Sequence, residues 1–310
     1  MRILIVGATS SVGKRLVRKS IELGHDVVCF SRSAATVFQG LTVEARNGNI
    51  VSLDDLSAAA VGCTHIVNCA VSYDPRTMEQ VNVAGAENVA RVARRIDAAR
   101  VIHVSTLSVY PLTLDRRHLE TDHFEQVVDS YQRTKQLGEM KFRTACESSG
   151  TSWTCIRPGA MFGPESHWSK IASQPMPWTQ GTGEGTIFAV YIDDIVDLIL
   201  LSLDAPAAVG EVFNAVMDPP PTRLALWQAH RNAAGKICRF TRRGALARYL
   251  FIPAQYFPRF RGGRAHFISM ITRTRESWSA HKAKSLLGWQ ASTSLSEGAL
   301  RYLAWQQQQP

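Results

Sequence analysis

The stretch that decides the fold is MRILIVGATSSVG, residues 1–13. Residues 2–6 form an aliphatic run that stops at Gly7, as a buried parallel strand does. Residues 14–23 then show the apolar spacing of a helix. Strand, glycine turn and helix place backbone N–H groups and a helix N-terminus where the pyrophosphate of a dinucleotide binds. We predict a cofactor-binding turn formed by Gly7, Thr9, Ser10, Ser11, Val12 and Gly13.

Further apolar runs alternate with helical segments along the first half of the chain. The later strand candidates are residues 26–30, 42–45, 65–69, 101–105 and 152–156. Helical spacing separates most of them, notably over residues 79–95 and 131–146. Such alternation indicates a parallel sheet with helices on both faces. The predicted fold class is α/β, with a Rossmann-type doubly wound parallel sheet.

A second group of polar residues could carry the chemistry. Tyr131 and Lys135 are four residues apart, so on a helix they share one face. There the lysine ammonium can lower the pKa of the phenol from its reference of about 10 toward neutrality. Thr106, or Ser105 beside it, ends an apolar run and can hold a substrate oxygen near that phenol. This arrangement suits proton transfer to or from a carbonyl or alcohol, provided that a cofactor handles the hydride.

Taken in order, these motifs resemble those of the extended short-chain dehydrogenase/reductase family, the NAD(P)-dependent group that includes nucleotide-sugar epimerases, dehydratases and 3β-hydroxysteroid dehydrogenases. The resemblance extends from Met1 to about Trp305. It rests on residues 7–13, Asn68-Cys69-Ala70, Asn82-Val83-Ala84-Gly85, Val104-Ser105-Thr106 with Val109-Tyr110, Tyr131 to Lys135, Arg157-Pro158-Gly159, Phe162-Gly163-Pro164, Val190-Tyr191-Ile192-Asp193-Asp194 and Leu286-Leu287-Gly288-Trp289. So many motifs in the family's order argue against a chance match.

The resemblance implies a role for individual residues. Thr106 would orient and polarise the reacting oxygen, and Tyr131 would be the general acid/base. Lys135 would lower the pKa of Tyr131 and bind the nicotinamide ribose. The backbone at the end of the fourth strand candidate would pass close to the same ribose. Besides the glycine turn, the implied cofactor site contains Ser31, Arg32, Asn49, Cys69, Ala70, Tyr131, Lys135 and Pro158. No metal site is expected.

The resemblance also implies a domain organisation. Beyond Pro158 the chain becomes richer in proline, glycine and tryptophan, and in the family this part forms a smaller, mixed substrate lobe. We therefore predict an NAD(P)-binding Rossmann domain over residues 1–157. Residues 158–305 would form mainly the substrate lobe, with some segments returning to the Rossmann domain, and residues 306–310 a disordered tail. A homodimer is expected, because family members often pair through the helix that carries Tyr131.

The residues after the second strand bear on the choice of cofactor. NAD-preferring members of the family usually present an aspartate there to the ribose 2′-hydroxyl, whereas this chain has Ser31-Arg32. Because a cation and a hydroxyl suit a 2′-phosphate, NADP is the predicted cofactor, with NAD as the alternative. Two positions depart from the family pattern. Ser10 replaces the usual middle glycine, and Asn49 replaces the common aspartate beside the adenine.

The residues after Thr106 limit which reactions of the family are possible. Family 4,6-dehydratases have an acidic pair after this threonine, whereas Leu107 and Ser108 follow here, so dehydration lacks an acid or base. Two reactions stay open: interconversion of a ketone and a secondary alcohol, and epimerisation of a nucleotide sugar through a transient 4-keto intermediate. The short segments 71–80 and 164–190, with an aromatic and basic stretch at 249–260, favour the first. A non-catalytic NADP-binding regulator is a remote alternative, because such proteins typically lack the Tyr–Lys pair.

Composition sets the remaining expectations. The 310 residues are 45% hydrophobic, enough for a large core. The net charge of +9 comes from scattered basic residues, densest over 239–275, which favours a solvated face over nucleic-acid binding. An anionic small-molecule substrate and peripheral membrane contact are the alternatives. With no apolar run long enough to span a membrane and a strand that starts at Met1, a cytoplasmic protein is expected. The six cysteines are predicted to be reduced core residues.

Overall fold

A computed structural model describes residues 1–127, 129–237, 246 and 271–309. The strands are β1 (Arg2–Val6), β2 (Asp26–Ser31), β3 (Glu44–Asn47), β4 (His65–Asn68), β5 (Arg100–Val104), β6 (Arg117–His118), β7 (Trp153–Pro158), β8 (Ala160–Phe162), β9 (Ala189–Tyr191), β10 (Glu211–Ala215) and β11 (Ser277–Trp278). The helices are α1 (Ser11–Glu22), α2 (Ala34–Val37), α3 (Leu53–Ala59), α4 (Gly85–Arg95), α5 (Ser130–Ser149), α6 (His167–Ala172), α7 (Ile192–Asp204), α8 (Arg223–Ala233), α9 (His281–Leu287) and α10 (Leu295–Gln307). A π-helical turn (Gln80–Ala84) precedes α4.

The main sheet confirms the predicted fold class. Its seven strands are all parallel and lie in the order β10-β7-β5-β4-β1-β2-β3. The chain runs outward from β1 to β3 and then returns to place β4 on the other side of β1. Because the strand order reverses between β1 and β4, the carboxyl ends of these two strands form the topological switch point, where doubly wound sheets bind ligands.

Alternation along β1 explains why both faces of the sheet are covered. Ile3 and Ile5 belong to one apolar cluster, which also contains α1 and α7 side chains such as Val17 and Ile199. Leu4 and Val6 belong to the other cluster, which contains α4 and α5 side chains such as Val89 and Phe142. All four β1 side chains are essentially buried. Each such burial contributes about 1.5–3 kcal/mol, so this strand anchors the two layers of helices.

Two boundaries differ from the sequence-based predictions. The third strand is Glu44–Asn47 rather than residues 42–45. Its first residue, Glu44, forms an ion pair with Arg2 of β1, on the far side of β2. The last helix continues through Gln307, so the first two residues of the tail predicted as disordered are helical. That helix packs through Tyr302, whose ring centroid lies 5.8 Å from those of His230 and Trp305.

Segments beyond residue 158 contribute to the main sheet. Strand β10 pairs in parallel with β7 at the edge, from Glu211 opposite Thr154 to Ala215 opposite Pro158. Helix α7 packs on α1 and shares its apolar cluster. The division into domains at residue 157 stays a prediction.

Other sequence-based expectations fall partly outside the described residues. Five of the six cysteines are buried and unpaired, whereas Cys238 lies outside the described residues. The aromatic and basic stretch 249–260 and most of the basic region 239–275 also lie outside them. Within the described part of the chain, no helix has both the length and the apolar character needed to cross a bilayer.

Candidate functional site

The turn after β1 is shaped by two glycines that have no room for a side chain. Gly7 has a φ of +74°, and a Cβ built there would lie 2.5 Å from the backbone nitrogen of Ala70. A Cβ on Gly13 would lie 2.4 Å from the carbonyl oxygen of Gly7. Ser10 caps α1, because its Oγ accepts a hydrogen bond of 3.0 Å from the Gly13 N–H. The serine that replaces the usual glycine is therefore a helix cap, and it stabilises the N-terminus of α1, where backbone N–H groups can bind an anion.

A cleft of about 270 Å³ opens beside this turn at the switch point. The predicted cofactor residues that line it are Gly7, Thr9, Ser10, Ser31, Arg32, Asn49 and Ala70. The predicted cofactor residues outside its lining are Ser11, Val12, Gly13, Cys69, Tyr131, Lys135 and Pro158. Five of these, Val12, Gly13, Cys69, Lys135 and Pro158, are buried. Ser11 donates its hydroxyl to the Glu165 carbonyl instead, at 3.2 Å.

The charges around the cleft bear on which dinucleotide it could hold. No carboxylate lines it within the described residues, and Arg32 lies at its edge, exposed and without an ion pair in that part of the chain. The Ser31 hydroxyl accepts a hydrogen bond from the Ser33 N–H at 3.3 Å. The Asn49 Oδ1 accepts from the Val51 N–H at 3.2 Å, which orients its amide. The glycines of the turn, the capped helix and a cation that has no ion pair within the described residues are features that can bind phosphates.

Gly13→Ala should weaken NADPH binding strongly, because the new methyl group would displace the Gly7 carbonyl and with it the turn. Overpacking of this kind also costs about 1–3 kcal/mol of stability. Fluorescence titration with NADPH and urea unfolding measure the two effects. Gly24→Ala is the control for binding: Gly24 follows the other end of α1, where a Cβ meets no atom within 4 Å, and its φ of +76° makes alanine strain the backbone there, away from the turn. Equal NADPH affinity in the two variants would contradict the placement of the phosphates.

A larger cleft, of about 440 Å³, lies between α1, α7 and α10 but is a weaker candidate. Its charged residues neutralise one another: Arg15 pairs with Asp193, and Lys19 pairs with Asp197. The Asp194 carboxylate accepts hydrogen bonds from residues 292 and 293. These contacts fasten the helices together and leave no reactive group.

The structure brings Thr106, Tyr131 and Lys135 together at the carboxyl end of β5. The Thr106 side chain lies close enough to the Tyr131 phenol to lower its pKa, against the larger effect of burial. The Lys135 ammonium donates to the carbonyl oxygen of Val104, the last residue of β5, at 3.0 Å. The Thr106 Oγ1 accepts from the Ser108 N–H at 3.1 Å, so its own O–H can act as a donor to the phenol oxygen or to a substrate oxygen. The three groups predicted from the sequence thus form one cluster.

Lys135 is almost completely buried, at 2% exposure. Burial lowers the pKa of its ammonium to about 8, although the nearby Glu139 carboxylate raises it. The ammonium is therefore mostly protonated at neutral pH and loses its proton only in mildly alkaline solution. A cation in this position can stabilise negative charge that develops on neighbouring oxygens.

The prediction that Lys135 lowers the pKa of Tyr131 is wrong for this structure. Burial is the main cause that raises the pKa of the Tyr131 phenol well above its usual value, and Tyr73 raises it further. The rings of Tyr73 and Tyr131 are stacked, with centroids 4.8 Å apart. The Lys135 ammonium is hydrogen-bonded to the Val104 carbonyl, and its charge is not among the main influences on the phenol. Tyr131 is therefore held in its protonated form.

A buried ion pair behind the cluster escaped the sequence analysis. Glu139 and Arg157 are at most 1% exposed, and the Arg157 Nη2 lies 2.6 Å from the Glu139 Oε1. The Arg157 Nη1 also donates to the Tyr110 hydroxyl at 2.6 Å. Glu139 follows Lys135 by one helical turn, and Arg157 belongs to a motif quoted above, but nothing in the spacing indicates that they meet. The pair joins α5, which carries Tyr131, to β7.

Comparison with known proteins gives a consistent result. A family model described as the NAD dependent epimerase/dehydratase family matches residues 3–215. The UDP-glucose 4-epimerase of Vibrio cholerae is 28% identical over 229 residues, which are 68% of this chain and 69% of that protein. The 2-alkyl-3-oxoalkanoate reductase of Stenotrophomonas maltophilia is 26% identical over 222 residues, 67% of this chain and 66% of that protein. About a third of each relative's length therefore has no counterpart in the alignment.

Solved structures agree on the fold. The UDP-glucose 4-epimerase of Thermotoga maritima, solved with UDP-glucose, superposes with a TM-score of 0.77, covering 99% of each chain at 19% identity. At this identity the likeness concerns the fold. Within the described residues there is no group of three or more histidine, cysteine or acidic side chains arranged to hold a metal ion.

Proposed function

This chain belongs to the NAD-dependent epimerase/dehydratase family of enzymes, and from that premise we propose that it interconverts a ketone and a secondary alcohol, with Tyr131 as the general acid/base. The observation that carries the proposal is the placement of Thr106 beside the Tyr131 phenol at the end of β5, with the Lys135 ammonium hydrogen-bonded to the carbonyl of Val104, the last residue of that strand. When bound, the nicotinamide supplies or accepts the hydride.

Each side chain of the cluster has a task. The O–H of Thr106 donates to the substrate oxygen and orients it. Tyr131 gives its proton to that oxygen when a ketone is reduced, and takes it back when an alcohol is oxidised. The ammonium of Lys135 favours the developing phenolate. The glycine turn and α1 would hold the pyrophosphate of the cofactor, and Arg32 with Ser31 would hold its 2′-phosphate.

Epimerisation of a nucleotide sugar is the second candidate, supported by the similarity to UDP-glucose 4-epimerase. Both reactions use the same three side chains, and they differ in whether the keto product leaves the site. The similarity to 2-alkyl-3-oxoalkanoate reductase supports the first candidate equally. The segments 71–80 and 164–190 are short for a protein that binds a nucleotide sugar, which favours a reductase or dehydrogenase.

Turnover separates the candidates. The wild-type protein is incubated with NADPH and a panel of aliphatic, alicyclic and aromatic ketones, and separately with UDP-sugars. We expect stoichiometric oxidation of NADPH by at least one class of ketone, and none with UDP-sugars. Conversion of a UDP-sugar to its epimer without net consumption of cofactor would establish the second candidate instead.

NADP is the proposed cofactor, and Arg32→Ala should weaken NADPH far more than NADH. The substitution removes the unpaired cation at the edge of the cleft, whereas NADH has no 2′-phosphate for that cation to bind. A lost charge-assisted hydrogen bond corresponds to about 1.5–3 kcal/mol. Titration of both nucleotides measures the effect. Arg46→Ala removes the same charge from the neighbouring strand, where the guanidinium is paired with Glu44, and serves as the control. Equal weakening of NADPH and NADH would reject the contact.

Three further expectations stay predictions: a small-molecule substrate, a homodimer and a cytoplasmic location. The homodimer is expected to form through α5, and Met140 is half exposed on that helix. Sedimentation of the purified protein would measure its oligomeric state.

A further inference from the structure

Three arginines are buried within the described residues, each at most 6% exposed: Arg100, Arg157 and Arg223. Two of them have a full set of partners. All three side-chain nitrogens of Arg157 donate hydrogen bonds, and the Glu139 carboxylate neutralises its charge. Those of Arg100 also all donate, for example to the Ser202 carbonyl oxygen at 2.9 Å. Elsewhere in this chain, buried guanidinium groups are thus satisfied by hydrogen bonds.

Arg223 is the exception. Within the described residues its guanidinium makes one hydrogen bond, from Nη1 to the Gln180 Oε1, at 3.3 Å. The Nε atom is buried and has no hydrogen-bond partner. Arg223 also forms no ion pair with any described residue, in contrast to Arg157. Because an unpaired buried cation destabilises a folded protein, Arg223 lowers the stability of the ligand-free protein.

The buried carboxylate of Glu276 does not serve as the missing partner. It accepts hydrogen bonds from the Thr113 hydroxyl at 2.6 Å and the Thr274 hydroxyl at 3.3 Å, and it lies 3.1 Å from the His118 Nε2. Its charge raises the pKa of Arg223, but burial has the larger effect and lowers that pKa to about 10. Arg223 is therefore a cation at neutral pH.

The edge of the guanidinium that has no partner fits a carboxylate. Since Nη1 faces Gln180, the Nε and Nη2 atoms of Arg223 are left without a hydrogen bond within the described part of the chain. These two nitrogens match the two oxygens of a carboxylate, which arginine binds through two parallel hydrogen bonds. One cation also balances the single charge of a carboxylate, whereas a phosphate monoester carries up to two charges at neutral pH.

A second polar atom without a partner belongs to the turn that packs against Arg223. The Thr182 Oγ1 is buried and has no hydrogen-bond partner. Its turn is fixed to the start of α8 by the backbone. The Arg223 N–H donates to the Gly185 carbonyl at 2.9 Å, and the Leu224 N–H donates to the Gly183 carbonyl at 2.8 Å. A hydroxyl and a guanidinium, both lacking partners, therefore come from two segments that are hydrogen-bonded to each other.

Arg223 lies at the end of the main sheet that also carries the reactive cluster. It is the first residue of α8, the helix that follows β10. Strand β10 pairs with β7, and β7 pairs with β5, whose carboxyl end precedes Thr106. Because these strands are parallel, Arg223 and Thr106 both follow carboxyl ends at the same edge of the sheet. A substrate that spans this edge would have its reacting carbon near Tyr131 and its other end near Arg223.

We propose that Arg223 binds a carboxylate of the substrate, so that the protein reduces a ketone that is also a carboxylic acid, or oxidises the corresponding hydroxy acid. The inference rests on the proposed function and names its substrate class. The carboxylate supplies the counter-charge that the ligand-free protein lacks at this position. Arg223 orients the substrate and takes no part in the transfer of the proton or the hydride.

The first test needs no ligand. Arg223→Met keeps an apolar side chain of similar length and removes the charge. We expect its melting temperature to equal or exceed that of the wild type, because an unpaired buried charge is lost. Arg100→Met is the matched control, since it removes a buried arginine that is fully hydrogen-bonded, and its melting temperature should fall. A melting temperature of Arg223→Met clearly below that of the wild type would make Arg223 a structural residue and overturn the proposal.

The second test is binding, with and without NADP⁺. Calorimetry measures the affinity of unbranched monocarboxylates from butanoate to dodecanoate, each beside its amide, and of inorganic phosphate. At least one carboxylate should bind the wild type about 10- to 100-fold more tightly than its amide, and Arg223→Met should lose this preference. Three results would overturn the proposal: equal affinity for acid and amide throughout the series, a preference that Arg223→Met retains, or phosphate bound more tightly than any carboxylate.

Failure of this inference is distinguishable from failure of the proposed function. If no ketone, acidic or neutral, oxidises NADPH, the function is wrong, whereas carboxylate binding that depends on Arg223 still establishes the site. If keto acids and their methyl esters are reduced equally well and Arg223→Met changes neither rate, the function holds and the inference is wrong. If both are right, Arg223→Met should lower kcat/KM for a keto acid by about tenfold or more and leave that for its methyl ester unchanged.

Discussion

Tyr131→Phe should lower kcat by about 10²–10⁴-fold while the affinity for NADPH stays nearly unchanged. The substitution removes one hydroxyl, which is the proton donor, and leaves the ring that stacks on Tyr73. Cofactor affinity should survive because only the hydroxyl is lost and the ring stays in place against Tyr73. Turnover of a ketone with NADPH measures the first effect, and fluorescence titration the second.

Lys135→Ala is the informative comparison. It removes a buried cation and its hydrogen bond to the Val104 carbonyl, at the strand end where the nicotinamide ribose is proposed to bind. Turnover and cofactor affinity should therefore both fall. If Tyr131→Phe retained more than a tenth of wild-type turnover, another group would have to supply the proton, and the assigned role of Tyr131 would be lost.

Arg157→Leu should lower the free energy of unfolding by about 3–5 kcal/mol, because it leaves the buried Glu139 carboxylate without its partner. The two residues share hydrogen bonds of 2.6 and 3.0 Å and are essentially inaccessible to water. Urea unfolding measures the loss. Arg91→Leu breaks a pair with Glu87 on the surface of α4 and should cost only about 0.3–0.5 kcal/mol.

The double variant, Arg157→Leu with Glu139→Leu, should recover most of the lost stability, because apolar pairs often replace buried ion pairs at no cost. Loss of stability in the double variant equal to the sum of the single losses would contradict this account. The pH dependence follows from the pKa of Glu139. Burial raises that pKa, but the charge and hydrogen bonds of Arg157 outweigh it, so the net shift is downward. The pair therefore stabilises fully above the pKa of an unfolded glutamate, about 4.3, and less as pH falls below it.

Local pattern was sufficient to predict six of the seven strands of the main sheet, though not β10, and the residues of the reactive cluster. The run before Gly7 forms β1, and the spacing of Tyr131 and Lys135 places both on α5, as predicted. Thr106 lies beside Tyr131 because the turn that follows β5 packs against α5. These relations follow from the two-residue side-chain repeat of strands and the repeat of about four residues in helices. Both repeats are visible in the sequence.

The surroundings of Tyr131 could not be predicted in this way. The phenol pKa depends on Tyr73, which is distant in the sequence and brought close only by the Asn82 contacts. The ammonium of Lys135 binds a backbone carbonyl, and no spacing rule indicates which group it would choose. The Glu139–Arg157 pair likewise joins a helix to a strand that begins after the helix has ended. Tertiary contacts of this kind determine whether the side chains of Tyr131, Lys135 and Glu139 are charged.

The most direct test of the central claim is nucleotide binding by the purified wild-type protein. NADPH and NADH are titrated by fluorescence, and any nucleotide that co-purifies is released by denaturation and identified by mass spectrometry. A reductase or dehydrogenase of the proposed kind should bind NADPH more tightly than NADH and exchange it readily. Tightly retained NAD would contradict the account, because an epimerase regenerates its cofactor in each turnover and has no need to release it.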